Sequence, residues 1–450
     1  MERIVLAYSG GLDTSVAIPW LAETFGAEIV AVTLDVGQGS ELNQVRERAL
    51  AAGAVRAHVL DVCDAFARGF VLPALQAGAL YEGQYPLAAA LARPLMAQKL
   101  VELAAMEGAT AIAHGSTGKG NGQARLDLAV RALNPSLRIL APAREWGMTR
   151  AQEIAYADAR GIPVAATVEH PYSTDANLWG RSASCGALED PWAEPPADVF
   201  TLTRRVEMGP ADPAYVELTF EAGVPVALNG VSMSLVELIG TVATIAGHHG
   251  VGRVDMVENR LLGIKSREVH EAPAALVLHA AHRDLQAFVT TRELDRIARY
   301  VGTAYADLVY NGLWFTDARA AMDAFVAAVQ QRVTGDVRVK LFRGDCQVVG
   351  RRSPHGVYDP GLSTYGDGDR FDHSAAEGFI RIWGLPVEAF ARTAAFGSVS
   401  KRPDQRCDMG DVSPDSYSAC DVAGWAARAA VRANASTGRP QIRMNPSAAE

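Results

Sequence analysis

The stretch Ser9-Gly10-Gly11-Leu12-Asp13-Thr14-Ser15 decides the fold. Before it runs Ile4-Val5-Leu6-Ala7-Tyr8, a short apolar run that predicts a buried strand. After it runs Val16 to Phe25, with apolar residues at helical spacing. The segment therefore reads as strand, glycine turn and helix start. Two glycines let the backbone bend sharply and approach a ligand closely. Asp13, Thr14 and Ser15 are cap-type residues placed where the helix opens. Unpaired backbone N–H groups and the positive helix end then favour a phosphate. The pattern GxxxxGK[ST] does not occur in the sequence, which argues against γ-phosphate transfer.

Outward from this stretch, residues 1–166 alternate strand and helix patterns. Strands are expected at 3–8, 28–34, 55–60, 109–114 and 137–141, and helices at 14–25, 41–52, 86–107 and 149–160. Such alternation predicts an α/β domain, a parallel sheet with helices on both faces. Ligands of that class bind where strands end, so loops 9–15, 35–40 and 114–125 should carry the site. The last contains His114-Gly115-Ser116-Thr117-Gly118-Lys119-Gly120-Asn121. It reads either as a solvated loop or as a second cradle facing the first. In the second reading Lys119 supplies a point charge, and Asn121 both donates and accepts hydrogen bonds.

Near residue 166 the pattern changes. Residues 168–196 lack periodicity and read as a long polar loop, a feature that is usually functional or disordered. Beyond it, strands at 214–220, 224–228, 336–343, 345–350 and 377–383 mix with helices at 233–248, 273–286, 291–311 and 317–331. This predicts a separate α+β domain over 167–385. The charged runs 252–260 and 265–267 read first as solvated surface. An alanine-rich helix is expected at 421–433, and the tail 434–450 reads as disordered.

A chain of 450 residues is too long for one hydrophobic core, which agrees with two or more domains. No run of about 18 apolar residues suggests a membrane span, and the first residues lack a secretory pattern, so a cytoplasmic location is expected. Five scattered cysteines form no CxxC pair, which fits reduced thiols and argues against zinc. A net charge of -9 disfavours a broad footprint for nucleic acid.

The loop string resembles the pyrophosphate loop of ATP pyrophosphatases, SGGxDS with one insertion. The chain as a whole resembles the argininosuccinate synthase family over roughly 3–390. The matching strings are AYSGGLDTS at 7–15, LARPL at 91–95, HGSTGKGN at 114–121, PYSTDAN at 171–177, LEDPWAEPP at 188–196, HGVGRVDMVENR at 249–260 and GIKSRE at 263–268. The resemblance implies an ATP-pyrophosphatase domain (adenine nucleotide α-hydrolase-like), a synthetase domain, and a C-terminal helical segment, 386–433, that helps build a homotetramer. It implies that ATP, citrulline and aspartate give argininosuccinate, AMP and pyrophosphate, with Mg2+ sharing the phosphate charge. It implies ATP contacts from Ala7, Tyr8, Ser9, Gly10, Gly11, Leu12, Asp13, Thr14 and Ser15, from Leu34 and from Gly115. Thr117, Asn121 and Gly122 would meet the aspartate, and Tyr85, Asn121, Arg125, Ser173, Ser182, Glu258 and His270 the citrulline.

Four positions depart from the family pattern. Gly122 stands where the family usually has Asp, and Ala88-Ala89-Ala90 where it often has a hydroxyl. His270 stands where the family has Tyr, and Ala124-Arg125-Leu126-Asp127 replaces VRFE. Histidine titrates near neutrality, so His270 is expected to make the pocket pH-sensitive there. These departures define an alternative reading, a synthase-like ligase that joins a different ureido or amide group to a different amine.

Overall fold

Ile4-Val5-Leu6 offers no polar side chain to either face of a strand. In the computed structural model, which describes residues 2–39, 42–163 and 172–393, this run is the centre of a five-stranded parallel sheet. Its strands are β1 (Arg3–Ala7), β2 (Glu28–Asp35), β3 (Arg56–Asp61), β4 (Ala111–His114) and β5 (Arg138–Leu140), in the order β3-β2-β1-β4-β5. Side chains alternate along a strand, so β1 feeds two cores. Val5 joins Val30, Val32 and Ile112 beneath helix Ala88–Glu107, while Ile4 and Leu6 join Ile29 and Ala31 beneath helix Leu12–Phe25. The chain leaves β1 toward β2 on one side and returns to β4 on the other. A crevice forms at such a reversal, outside the strand ends. The loops after β1 and β4 emerge there side by side, since Ala7 pairs with His114.

The remaining strands are β6 (Ser173–Asn177), β7 (Gly180–Ser184), β8 (Ala214–Glu221), β9 (Val224–Leu228), β10 (Val231–Ser232), β11 (Arg253–Asn259), β12 (Lys265–Glu271), β13 (Gly335–Phe342) and β14 (Asp345–Arg352). They form two antiparallel sheets, ordered β10-β9-β8-β13-β14 and β11-β12-β7-β6. Helices Leu235–His248 and Pro273–Val289 pack their apolar faces into the core shared with β8 and β13.

Four expectations are corrected. The stretch read as a long loop at 168–196 contains the β6–β7 hairpin, whose short polar strands have no apolar alternation to betray them. The loop read at 114–125 ends at Gly120, because helix Asn121–Leu133 begins there and buries Leu126, Ala129 and Val130. The strand read at 377–383 belongs to helix His373–Trp383, which Asp372 caps by accepting from the Ser374 and Ala375 N–H groups. A short apolar run cannot distinguish the two periods, and the cap decides. The runs at 252–260 and 265–267, read as solvated surface, are β11 and the start of β12, with Glu258 buried between them and the rest of the site.

The chain divides at Thr364 into two units, the first holding all three sheets. The expected 421–433 helix, the 434–450 tail and most of the 386–433 segment lie outside the described residues.

Candidate active site

The turn after β1 keeps its anion-binding groups open. Helix Leu12–Phe25 has Gly11 at its cap position, with extended backbone and no side chain capping it. The three residues expected as caps sit inside the first turn instead. Thr14 Oγ1 lies 3.1 Å from Ser9 Oγ and donates to the Gly11 carbonyl at 3.3 Å, and Ser15 Oγ lies 2.9 Å from the Tyr8 hydroxyl. These bonds set the loop's shape, while the first-turn N–H groups stand at the positive end of a 14-residue helix. Gly10 has φ +77°, and a Cβ there would reach 3.0 Å from Arg48 Nη2, so only glycine fits. Leu34 lies near the end of β2, its carbonyl accepting from Gln38 Nε2 at 2.8 Å.

The second loop meets the first. A Cβ on Gly115 would lie 2.7 Å from Thr14 Cγ2. His114 Nε2 lies 2.8 Å from Asp127 Oδ1, and Arg144 Nη1 donates to Asp127 Oδ2 at 2.9 Å, which anchors the loop to the helix that follows. Asp127, at a departure from the family string, is therefore a structural tie. Thr117 and Lys119 are exposed on the rim.

At its end, Gly120, the same loop enters a cavity of about 170 Å³. Tyr85, Asn121, Gly122, Arg125, Ser173, Ser182, Glu258 and His270 all line it. Every residue singled out for amino-acid binding is thus brought together except Thr117, from four separate parts of the chain. Asn121 and Arg125 share one face of their helix by the i,i+4 rule. Strand pairing sets Ser182 beside His270 and Asp175.

Arg93, Asp175, Ser184, Arg260 and Glu268 also line the cavity and were not anticipated. Strand periodicity could have found four of them: Asp175 is two residues from Ser173, Ser184 from Ser182, Arg260 from Glu258 and Glu268 from His270. Arg93 pairs with Asp175. A Cβ on Gly122 would meet Ser116 Oγ at 3.4 Å and Arg93 Nε at 3.5 Å, so Asp175 already brings a carboxylate to the side where Gly122 lacks one. Of the three alanines only Ala89 faces the cavity, and its N–H donates to the Tyr85 hydroxyl at 3.0 Å.

Opposite charges sit side by side around the cavity. Arg125 Nε donates to the Tyr310 carbonyl at 2.7 Å and its guanidinium lies 4.6 Å over the Tyr310 ring. Arg260 Nη2 donates to Glu268 Oε1 at 2.6 Å. Burial, reinforced by the Glu268 carboxyl, pushes Glu258 up to about 7, against the pull of the Tyr310 hydroxyl and Arg125. Asn121 donates from Nδ2 to Tyr310 at 2.8 Å and accepts from the Leu261 N–H at 3.1 Å, which leaves its amide one N–H and one lone pair.

His270 stacks on Tyr85 with ring centroids 4.1 Å apart, and its Nδ1 lies 2.8 Å from Ser182 Oγ. Burial pushes its pKa down to about 4. The ring is therefore neutral around neutrality, and the expectation of a pH-sensitive imidazole is overturned. Of seven side-chain atoms buried without a partner among the described residues, three, Arg125 Nη2, Arg260 Nε and His270 Nε2, belong to residues lining this cavity. Buried polar atoms are normally paired, so the groups of a polar ligand would complete them. A guanidinium opposite two carboxyls suits a small zwitterion.

A parallel sheet with a glycine loop at its reversal point, joined to a domain that completes a zwitterion-sized cavity, defines a nucleotide-binding α/β protein that handles a second, small polar molecule. Residues 3–163 match the family model "Arginosuccinate synthase N-terminal HUP domain", and residues 172–390 match "Arginosuccinate synthase C-terminal domain". The chain belongs to the argininosuccinate synthase family. It is 55% identical over 392 residues to the argininosuccinate synthase of Gloeobacter violaceus, covering 87% of this chain and 98% of that one. It is 52% identical over 393 residues to that of Synechococcus elongatus, covering 87% and 98%, and 53% identical over 391 residues to that of Dehalococcoides mccartyi, covering 87% and 96%.

Proposed function

We propose that this chain joins citrulline to aspartate at the expense of ATP, forming argininosuccinate, AMP and pyrophosphate. The observation that carries the reading is the cavity: three of the residues that line it carry a buried polar atom without a partner, and its loop also touches the pyrophosphate loop. A ureido oxygen is a poor leaving group. Its attack on the α-phosphorus forms an O–P bond and expels pyrophosphate, and the aspartate amine then displaces AMP from the ureido carbon. The open first-turn N–H groups after Gly11 receive the charge that develops on the departing phosphates. Arg125 suits the citrulline carboxylate, Glu258 its ammonium, and the 115–122 loop the aspartate. The rest is positioning of reactants.

The loop offers hydroxyls, backbone N–H groups and a single carboxylate, Asp13. That set fits Mg2+ held mainly through phosphate oxygens, with Asp13 and Ser9 beside it. When bound, the ion supplies charge neutralisation at the β and γ phosphates. Family membership supports domains at 1–166 and 167–385 and assembly as a homotetramer. So do Phe379, Ile380, Ile382 and Trp383, whose exposed apolar surface on one short helix would be covered by other copies. Among the described residues no helix is long and apolar enough to cross a membrane, which is compatible with a cytoplasmic enzyme.

The alternative substrate pair finds no support in the relatives, whose shared name is argininosuccinate synthase. A pyrophosphate-release screen over ureido and amine substrates tests the reading. Citrulline with aspartate should give the highest kcat/KM, and preference for another pair would overturn it.

A further inference from the structure

We propose that Tyr310, which does not line the cavity, is a positioning residue that presets both charged ends of the site. The inference rests on the reading that this cavity takes the ureido amino acid. Tyr310 ends helix Arg292–Tyr310 and is buried. Its hydroxyl accepts from Asn121 Nδ2 at 2.8 Å, and the Glu258 carboxyl lies close enough for the two groups to shift each other's pKa. Its carbonyl accepts from Arg125 Nε at 2.7 Å. One face of its ring carries the Arg125 guanidinium at 4.6 Å, and the ring stacks on Tyr81 at 3.6 Å with the planes 5° apart. Two residues on, Gly312 has φ +77°, and a Cβ there would lie 2.8 Å from Arg125 Cα.

One residue of a third element thus bears on three lining residues drawn from helix Asn121–Leu133 and from β11. A buried aromatic serving packing alone needs no hydroxyl, whereas Asn121, which donates to this hydroxyl, and the Glu258 carboxyl near it both line the cavity. With Nε and the ring face engaged, the Arg125 fork is held in one orientation beside the cavity, with Nη2 left without a partner. Burial pushes the phenol's own pKa up, so it stays a donor. The nearby phenol favours the carboxylate form of Glu258, against burial and the Glu268 charge, with Arg125 and Arg260 acting in the same direction. Tyr81, Tyr85 and Arg93 also act on this cluster, with Glu82, Asp307 and Asp175 around the two tyrosines.

Tyr310→Phe keeps the ring and removes the hydroxyl. Steady-state kinetics of the full-length enzyme should show KM for citrulline raised about tenfold or more, the loss typical when a buried polar group is left without its hydrogen bond. KM for ATP should stay within about twofold, and the melting temperature within a few degrees, as expected for one hydrogen bond. The acidic limb of kcat/KM for citrulline should move to higher pH, because the carboxylate form of Glu258 has lost the phenol that favours it. Unchanged KM and an unmoved limb in Tyr310→Phe would overturn the proposal. So would KM for ATP and citrulline rising together as the melting temperature falls, the signature of a structural role. A wild-type enzyme indifferent to citrulline would instead refute the cavity reading, and this proposal with it.

Discussion

Gly115→Ala tests whether the spacing between the two loops matters to the reaction. An added Cβ would lie 2.7 Å from Thr14 Cγ2. Carbon atoms pack at about 3.5–4.0 Å, so the loops must separate by roughly 1 Å. Thr14 cannot easily turn aside, because it is buried and its hydroxyl is held by Ser9 and by the Gly11 carbonyl. Gly115 does not have the positive φ that favours glycine, so the alanine is not strained by its own backbone. The folded state should lose little, since Gly→Ala at a compatible position stabilises by about 0.4–1 kcal/mol and offsets part of the contact. The reaction should lose more, because a misplacement of about 1 Å can cost roughly a hundredfold. That corresponds to about 2.7 kcal/mol of transition-state stabilisation. Pyrophosphate release at saturating citrulline and aspartate, with ATP varied, measures it. Gly118→Ala is the control, because its Cβ would meet only Arg144 Cγ at 3.9 Å, an ordinary contact. A Gly115→Ala enzyme within about threefold of wild type, the value expected without any displacement of the reacting groups, would refute the reasoning. Equal losses in both variants would also refute it.

Asp13→Ala and Ser9→Ala should each abolish pyrophosphate release in a protein that melts normally, and undiminished turnover in either would remove the basis of the loop assignment. Chromatography of a reaction mixture should show AMP as the product nucleotide; ADP with free phosphate would contradict the pyrophosphate loop. Glu258 is raised to about 7, so kcat/KM for citrulline should rise with pH through that value as the carboxylate forms, then level. His270, held down to about 4, should add no second limb, and a profile flat from pH 6 to 8 in the wild type would count against Glu258. In Glu258→Gln the limb should vanish and KM for citrulline should rise, by about tenfold on the cost of a lost charge-assisted hydrogen bond.

The pyrophosphate loop was legible in the sequence because everything it needs is local. An apolar run, two glycines and a helix start lie within 25 residues, and their meaning does not depend on what packs around them. The first sheet was legible for the same reason, since its central strands β1, β2 and β4 carry short apolar runs between turns. Periodicity alone did not locate the cavity, although spacing from the matched strings could have extended it. Its strands β6, β7, β11 and β12 are polar on the ligand side, so the alternation that marks a half-buried strand is weak, and only the likeness to known strings pointed to Ser173, Ser182 and Glu258.

What the sequence by itself determined is the chemistry available: a loop for phosphates, and arginine, glutamate and serine in strings that match one family. Only the tertiary structure decided the state of those groups. Tyr310 lies 189 residues from Asn121 and 185 from Arg125, and no spacing rule connects them. Glu258 is raised and His270 lowered because both are buried, and burial is a property of the packed chain rather than of its neighbours in sequence. Desolvation acts through every atom that displaces water from a charge. The proton on each group is therefore set by residues from several separate parts of the chain, and becomes defined only when folding brings them together.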